Sequence, residues 1–269
     1  MLMRQLLFSV TLALALAGAA WPSAAAAPRL EKIVDSGRLD VCIWPEYFGI
    51  SFRNPRSGTV TGLDADMAGV LARELGVQLR LVDSNFARVI DDLENYRCDV
   101  AMMAVGITAE RAERLAFSMP YLRSDVFAVT TRHSPRIRRW EDIDQQGVRV
   151  GVSAGTFHEA LMRQRLQRAE LVVVRAPASR EGELEAGRID VFMSDFPFTR
   201  KMVDNHDWVR IIAPPTAYFP VDYGYALAKG DPAWRARLDR FLEQTLSDGT
   251  LRSIAARYGL DPIVINGPR

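Results

Sequence analysis

Short apolar runs alternate with amphipathic segments along this chain. The apolar runs have the length of strands and occupy residues 39–44, 78–82, 100–107, 125–131, 148–152, 171–174, 189–193 and 222–228. The amphipathic segments have the period of helices and occupy residues 64–75, 86–95 and 179–186, with further helices beginning near residues 108, 156, 234 and 251. Because strands and helices alternate, the pattern predicts an α/β protein.

One arginine stands at the start of a predicted helix, directly after a continuous apolar strand. Residues 100–107 read VAMMAVGI, Thr108 is a suitable N-cap, and Arg111 lies in the first turn. A guanidinium beside the free backbone N–H groups of a helix start would suit a carboxylate held by two hydrogen bonds. Arginines are also common on solvated helices, so this motif alone leaves both interpretations open.

Several motifs follow one another in an order that resembles a known protein family. They are GLDADMAGVLARELG (62–76), RCDVAMM followed by ITAER (97–111), FSMPY (117–121), VRVGVSAGT (148–156), LEAGRIDVFMSD (184–195) and SDGTLRSIAARYG (247–259). Together they resemble the bacterial extracellular solute-binding proteins of family 3, which serve polar amino-acid ABC transporters. Each motif is weak by itself, and the indication lies in their order and spacing.

The resemblance implies a periplasmic-binding-protein-like α/β fold, in which two lobes are joined by a two-strand hinge and hold a ligand cleft between them. Residues 28–124 and 222–269 would form a discontinuous first lobe, and residues 125–221 a second lobe that includes the hinge crossings. The implied function is that of a monomeric receptor. It would capture a small amino acid or related carboxylate by lobe closure and deliver it to the membrane permease of an ABC transporter.

The resemblance also assigns ligand contacts to individual residues. Arg111 would hold the α-carboxylate of the ligand, together with Thr156 and Phe157 at the start of a later helix. Asp195 would meet the α-ammonium, which fits its position, because a lone carboxylate at the end of an apolar strand is costly to bury without a cation. An exposed loop carboxylate or a helix N-cap are the alternatives for Asp195.

Two further positions belong to the predicted contacts of the ligand. Gly106 and Thr108 flank the approach to Arg111. Many relatives carry hydroxyl side chains just before this point, whereas this chain has Met103, Ala104 and Gly106. Contact there would therefore use backbone groups.

Aromatic residues are predicted to surround the side chain of the ligand. Tyr47 and Phe86 fall where family members enclose it, and Trp44 stands where relatives that bind basic amino acids have an acid. This replacement favours an apolar or aromatic ligand side chain, although a cation–π contact could partly substitute for the acid. Trp44 and Phe86 could alternatively belong to the core.

The two cysteines, Cys42 and Cys98, lie in or beside strands that are parallel neighbours in the family's fold. In an oxidising compartment they are expected to pair. The bridge would close a loop of about 55 residues and contribute ~4 kcal/mol on the chain-entropy model. Two buried free thiols are the alternative.

The N-terminal residues 1–26 have the features of a cleaved secretory signal. Arg4 precedes an apolar stretch over residues 6–20, and small residues precede Pro28. The apolar stretch is shorter than the ~20 residues of a membrane span, so a periplasmic location is predicted. Without Arg4 the chain has 33 basic and 33 acidic residues, and this balance gives no electrostatic indication of nucleic-acid binding.

Two other functions compete with the receptor. Periplasmic cyclohexadienyl dehydratases share the fold, and FSMPYLR and EDIDQQGV resemble them, but Phe198 replaces the glutamate expected three residues beyond the aspartate and cannot donate a proton. The other alternative is an accessory binding protein of a quinoprotein dehydrogenase. The presence of both Arg111 and Asp195, the predicted ligand-binding charges, argues against this function.

Other charged residues add little to these hypotheses. His133, His158 and His206 lack the spacing of metal ligands and are expected at the surface or as caps, so neither a metal nor another cofactor is predicted. Arg200 is expected near Asp195, where it would neutralise the carboxylate or meet a second carboxylate of the ligand.

Overall fold

A computed structural model describes residues 28–265 as two α/β lobes, each built around one sheet. The predicted signal segment, residues 1–26, lies outside the described residues. The first sheet contains β1 (Arg38–Ile43), β4 (Gln78–Asp83), β5 (Val100–Gly106), β6 (Leu115–Phe117), β7 (Leu122–Ser124) and β13 (Val221–Ala228). The second sheet contains β8 (Val126–Thr131), β9 (Arg149–Ser153), β10 (Glu170–Val174), β11 (Val191–Asp195) and β12 (Val209–Ile212). A small hairpin joins β2 (Phe52–Arg53) and β3 (Val60–Thr61).

Helices pack against both sheets. They are α1 (Arg29–Ser36), α2 (Leu63–Leu75), α3 (Val89–Glu94), α4 (Ala109–Arg114), α5 (Phe157–Arg165), α6 (Arg180–Glu185), α7 (Phe196–Asn205), α8 (Pro232–Ser247) and α9 (Thr250–Arg257), with 3₁₀ turns at Trp140–Asp142 and Asp261–Ile263. None of the helices within residues 28–265 has the length and apolar character needed to cross a bilayer.

Parallel pairing in the centre of each sheet is combined with antiparallel pairing at one side. In the first sheet β1 lies between β4 and β5, parallel to both, and β13 is antiparallel to β5, β6 and β7. In the second sheet β9 is parallel to β10 and β11, whereas β8 is antiparallel to β11 and β12. The chain passes to the second sheet after β7 and returns at β13, which confirms a mixed α/β fold with two lobes. The exact lobe boundaries stay a prediction.

The predicted strands and helices largely match those of the structure. The apolar run after Cys98 forms β5, which is buried along its whole length, because α2 and α3 pack against this strand. The sequence pattern did not predict α1, β2, β3, β6, β7, β12 or α7. The strands among them are only two to four residues long, and α7 begins with Phe196 and Pro197, which give no helical period.

A disulfide joins Cys42 in β1 to Cys98, just before β5, with 5.5 Å between the Cα atoms. The predicted bridge is therefore confirmed, and the two strands that it links are parallel neighbours. The separation of 56 residues corresponds to ~4 kcal/mol on the chain-entropy model. The bridge thus contributes to the free energy of unfolding and fixes one strand beside the other.

A buried carboxyl group in α2 accepts a hydrogen bond from a residue of β5 that has an unusual backbone conformation. Ala104 has a φ of +46°, a left-handed conformation that is uncommon for a residue with a Cβ. Its N–H donates to Asp64 at 2.7 Å, and the Tyr121 hydroxyl donates to the same carboxyl group at 2.7 and 2.8 Å. Burial raises the pKa of Asp64 to about 7, against the hydrogen bonds from Tyr121 and Ala104 that lower it.

Replacing Asp64 with Asn is expected to change how stability depends on pH. Because the folded pKa is raised, the carboxyl group adds stability that is complete below about pH 4 and is lost as pH rises through about 7. Relative to Asp64→Asn, the wild-type free energy of unfolding should fall by ~4 kcal/mol across this range. Urea unfolding at several pH values measures the difference, and Asp35→Asn, at an exposed position, is the control. Parallel curves for wild type and Asp64→Asn would contradict the expectation.

Candidate functional site

A small cavity lies between the two lobes. It is lined by Trp44, Tyr47, Phe86, Ala104 and Arg111 from the first lobe and by Thr156, Phe157, His158, Arg180, Ser194 and Asp195 from the second. Its volume of about 10 Å³ is close to that needed for one water molecule. An amino acid can therefore enter only if the lobes separate, and the conformation described here is a closed one.

Arg111 enters this cavity from the first lobe. The Thr108 hydroxyl accepts a hydrogen bond from the Arg111 N–H, as an N-cap should, and the Gly106 carbonyl accepts one from Nη1 at 3.0 Å. Nη2 donates to the carbonyl of Gly155 in the second lobe, also at 3.0 Å. Burial lowers the pKa of Arg111 to about 10, so the guanidinium remains charged at neutral pH. Within residues 28–265, no carboxylate forms an ion pair with it.

Gly155 brings the backbones of the two lobes into contact at this point. Its φ is +73°, and a Cβ there would lie 2.4 Å from the Cα of Ala87 in the first lobe. Glycine is therefore required by both the backbone conformation and the available space. The contact places the Gly155 carbonyl where Arg111 can reach it.

Asp195 enters the cavity from the second lobe, at the end of β11. It is the N-cap of α7 and accepts a hydrogen bond from the Phe198 N–H at 3.3 Å. Tyr47 and Tyr223, both in the first lobe, donate their hydroxyls to one carboxylate oxygen, Tyr223 at 2.7 Å. Burial raises the pKa of Asp195, and the hydrogen bonds from the two tyrosines oppose this effect. The carboxylate therefore joins the lobes as well as capping a helix.

The three predicted aromatic residues form one cluster on the first lobe. The ring of Trp44 lies 5.4 Å from those of Tyr47 and Phe86, and the last two are 6.0 Å apart. The Arg111 guanidinium lies 5.2 Å from the ring of Phe86. The cluster thus forms an apolar wall beside the charged groups.

The structure brings most of the predicted ligand residues together. The residues that line the cavity are Trp44, Tyr47, Phe86, Arg111, Thr156, Phe157 and Asp195. Gly106 and Thr108 lie outside the lining and hold Arg111 in place instead. Their ligand contacts, like those of the other residues, stay predictions.

Four lining residues were not among the predicted ligand contacts, namely Ala104, His158, Arg180 and Ser194, and two of them are ionisable. Arg180, the first residue of α6, is 3% exposed, and its guanidinium lies 4.5 Å from the ring of Phe198. His158 is 4% exposed and packs against Phe157 in a tilted arrangement, with 4.0 Å between the ring centroids. The prediction of a surface or capping position for His158 was wrong, because α5 turns this side chain inward. A short helix gave no period from which the burial of Arg180 could be predicted.

The expectation for Arg200 was also wrong. It lies on an exposed face of α7, and its Nη1 donates to Asp204 at 3.1 Å, one helical turn away. The helix that Asp195 caps carries Arg200 away from the cavity, whereas Phe198 is turned inward and is buried. Arg180 approaches Asp195 from a different helix.

Metal binding finds no support in the part of the chain that the structure describes. Within it, no three His, Cys, Asp or Glu side chains are grouped so that they could hold a metal ion.

Comparisons with known proteins agree with this architecture. Cyclohexadienyl dehydratase from Pseudomonas aeruginosa is 30% identical over 225 residues, with 83% of each chain covered. The L-cystine-binding protein TcyJ from Escherichia coli K12 is 28% identical over 256 residues, with 95% of each chain covered. The crystal structure of a reconstructed ancestral amino acid-binding protein, a precursor of cyclohexadienyl dehydratase, gives a TM-score of 0.78 at 27% identity, covering 85% of this chain and 98% of that one.

A family model supports the same relationship. The model of the bacterial extracellular solute-binding proteins, family 3, matches residues 39–261, which include both lobes and every residue that lines the cavity. The chain therefore belongs to the bacterial extracellular solute-binding proteins of family 3.

Proposed function

We propose that this protein is a periplasmic receptor that binds a small amino acid between its lobes and delivers it to the permease of an ABC transporter. One observation carries the proposal: Arg111 from the first lobe and Asp195 from the second line the same buried cavity. A guanidinium suits the α-carboxylate of an amino acid, and a carboxylate suits its α-ammonium. We also propose that residues 1–26 direct export of the chain and that the receptor is a monomer.

Lobe closure follows from where these groups originate. A ligand held by only one lobe would satisfy one of its two charges, so the ligand shifts the equilibrium towards the closed conformation only when both of its ends are bound. Changing a population from 1% to 99% closed requires ~5.5 kcal/mol of differential affinity. Two or three hydrogen bonds to charged groups, at ~1.5 to 3 kcal/mol each, are sufficient. The permease would then recognise the closed receptor.

Hydrogen bonds already hold the closed lobes together. Tyr47 and Tyr223 both donate to Asp195 across the boundary, and Arg111 donates to Gly155 across it. A ligand that enters must replace part of this network, because Arg111 and Asp195 are the groups that it would bind. The lobes must therefore open before the ligand enters, and in the closed complex the ligand takes the place of some of these contacts between the lobes.

A dehydratase is the second candidate, because the similarity to the Pseudomonas aeruginosa enzyme is as high as that to the binding proteins. Its chemistry needs a general acid at the leaving hydroxyl. Phe198 occupies the position of the expected glutamate and is 1% exposed, packed below Arg180. Asp195 is the one carboxyl group among the residues lining the cavity, and it is engaged by three donors.

Incubation with prephenate or arogenate is expected to give no dehydration above the uncatalysed rate, because the proton donor is missing. Formation of the aromatic product is followed by absorbance, with an authentic dehydratase as the positive control. Turnover that disappears in Asp195→Asn would establish the enzyme and reject a purely receptor role.

Replacing Arg111 with Ala is expected to abolish stabilisation by ligand, because the carboxylate loses its cation. A thermal-shift screen of the twenty amino acids and small dicarboxylates first identifies the ligand. At 100 times its Kd the ligand adds ~2.7 kcal/mol, which corresponds to a rise in Tm of roughly 5 to 10 °C for the wild type. Arg114→Ala, on the exposed face of the same helix, is the control and should keep the full shift. An unchanged shift in Arg111→Ala would reject the assignment.

Removing the hydroxyls that Tyr47 and Tyr223 donate to Asp195 is expected to favour the open form. Each hydrogen bond to the charged carboxylate contributes ~1.5 to 3 kcal/mol, and a buried carboxylate without donors gains by meeting water. In Tyr47→Phe/Tyr223→Phe the radius of gyration of the ligand-free protein, measured by small-angle X-ray scattering, should increase. Tyr96→Phe, at an exposed position, should leave it unchanged. Identical scattering from the double variant and the wild type would contradict the expectation.

A further inference from the structure

Arg180 is a second buried cation in the proposed ligand cavity. Its Nη1 donates to the Met193 carbonyl at 2.8 Å and to the Ser194 hydroxyl at 3.4 Å. Among the described residues, its Nε and Nη2 donate no hydrogen bond and no carboxylate pairs with it. Both nitrogens remain accessible to solvent, so an anionic group that enters the cavity can accept their hydrogen bonds in place of water.

Aromatic rings surround Arg180 on several sides. Its guanidinium carbon lies 4.5 Å from the ring of Phe198, 5.1 Å from that of Phe192 and 5.9 Å from that of Trp44. The first two rings belong to the second lobe, and Trp44 reaches across from the first. Cation–π contacts offset part of the desolvation cost, but they satisfy none of the N–H donors. The rings therefore hold the guanidinium in place and leave its hydrogen-bonding edge for another partner.

The buried charges of the cavity do not balance. Arg111 and Arg180 contribute two positive charges, and Asp195 contributes one negative charge. His158 is neutral, because burial together with Arg180 and Arg111 lowers its pKa well below the usual value. The excess is one positive charge, and protonation of Asp195 would only increase it.

Two carboxylates lie farther out on the same side. Glu46 and Glu181 line an adjoining outer cavity of about 450 Å³ together with Arg175 and Arg180. Glu46 is exposed and Glu181 half-buried, so water screens both. They reduce the potential at Arg180 without pairing with it.

His158 provides an independent sign that a polar group belongs in this cavity. Both of its ring nitrogens are buried, and neither makes a hydrogen bond with a described residue. A backbone group of Ser194 lies nearby but outside hydrogen-bond geometry. Because a neutral imidazole has one N–H donor, His158 could donate to an acceptor placed between it and Arg180.

We infer that Arg180 binds a second anionic group of the solute, so that the receptor prefers an acidic amino acid with a net charge of −1. The inference rests on the proposed function. The α-carboxylate would pair with Arg111, the α-ammonium with Asp195 and the side-chain carboxylate with Arg180 and His158. This arrangement balances the buried charge, whereas a neutral amino acid leaves one cation unpaired and a basic one adds another.

Isosteric ligand pairs test this inference without changing the protein. Glutamate and glutamine have nearly the same shape, as do aspartate and asparagine, and each pair differs by one charge. Isothermal titration calorimetry of the wild type should show the acidic member of at least one pair binding about 10- to 100-fold more tightly, the range expected of a hydrogen-bonded charge.

Arg180→Met then assigns the preference to one side chain. The variant should lose about 10- to 100-fold in affinity for the acidic ligand and bind the amide within about threefold of the wild type. Arg175→Met, an exposed residue that lines only the outer cavity, is the matched control and should retain the preference. Arg180→Lys should recover part of the affinity for the acidic ligand, because it restores the charge without the planar fork.

Different experimental outcomes would overturn the preference for acidic amino acids and the receptor function. If the wild type binds glutamine, asparagine, arginine or lysine more tightly than the acidic amino acids, the inference is overturned and the receptor function remains intact. Equal losses for acid and amide in Arg180→Met would mean that Arg180 only supports the fold, and this too would overturn it. If no amino acid of any charge binds, the proposed receptor function itself fails.

Discussion

The carboxylate of Asp195 is withdrawn from water at the boundary of two lobes, where Tyr47 and Tyr223 of the opposite lobe supply the hydrogen bonds that water would otherwise give. An isolated carboxylate would be very costly in this place. The closed conformation therefore depends on donors that come from elsewhere in the chain. When the lobes separate, the tyrosine hydroxyls and the carboxylate become accessible to water together. Hydrogen bonds to water then replace the contacts that stabilise the closed conformation.

The two sheets explain how groups so distant in the sequence meet. Tyr223 stands in β13, which returns the chain to the first sheet, and Asp195 ends a strand of the second sheet. Arg111 follows β5, and its hydrogen bond to Gly155 crosses the same boundary. Each lobe therefore supplies residues to a site that neither could form alone. Because the relatives of this chain include a dehydratase as well as binding proteins, the residues that line the interlobe cavity say more about function than the fold does.

The sequence predicted the features that arise from local patterns. Apolar runs identified the long strands, the Thr108 N-cap located Arg111, and the order of the motifs placed Asp195 and the disulfide. It did not predict the burial of Arg180 or His158, because each depends on which face of a short or irregular helix turns toward a neighbouring lobe. The error for Arg200 has the same origin: Arg200 lies two residues after the buried Phe198, a rotation of about 200° around the helix, and therefore faces outward. Direction around a helix is set by tertiary packing that a single chain segment does not reveal.

The close contact between Gly155 and Ala87 has a consequence for the working cycle of the molecule. Since only a hydrogen atom fits between these two backbones, even one methyl group on residue 155 would act as a wedge that stops the lobes short of full contact. The carbonyl of residue 155 would then lie too far away for Arg111 to reach. A wedged molecule could keep every charged group intact and still never bring the two walls of the cavity together.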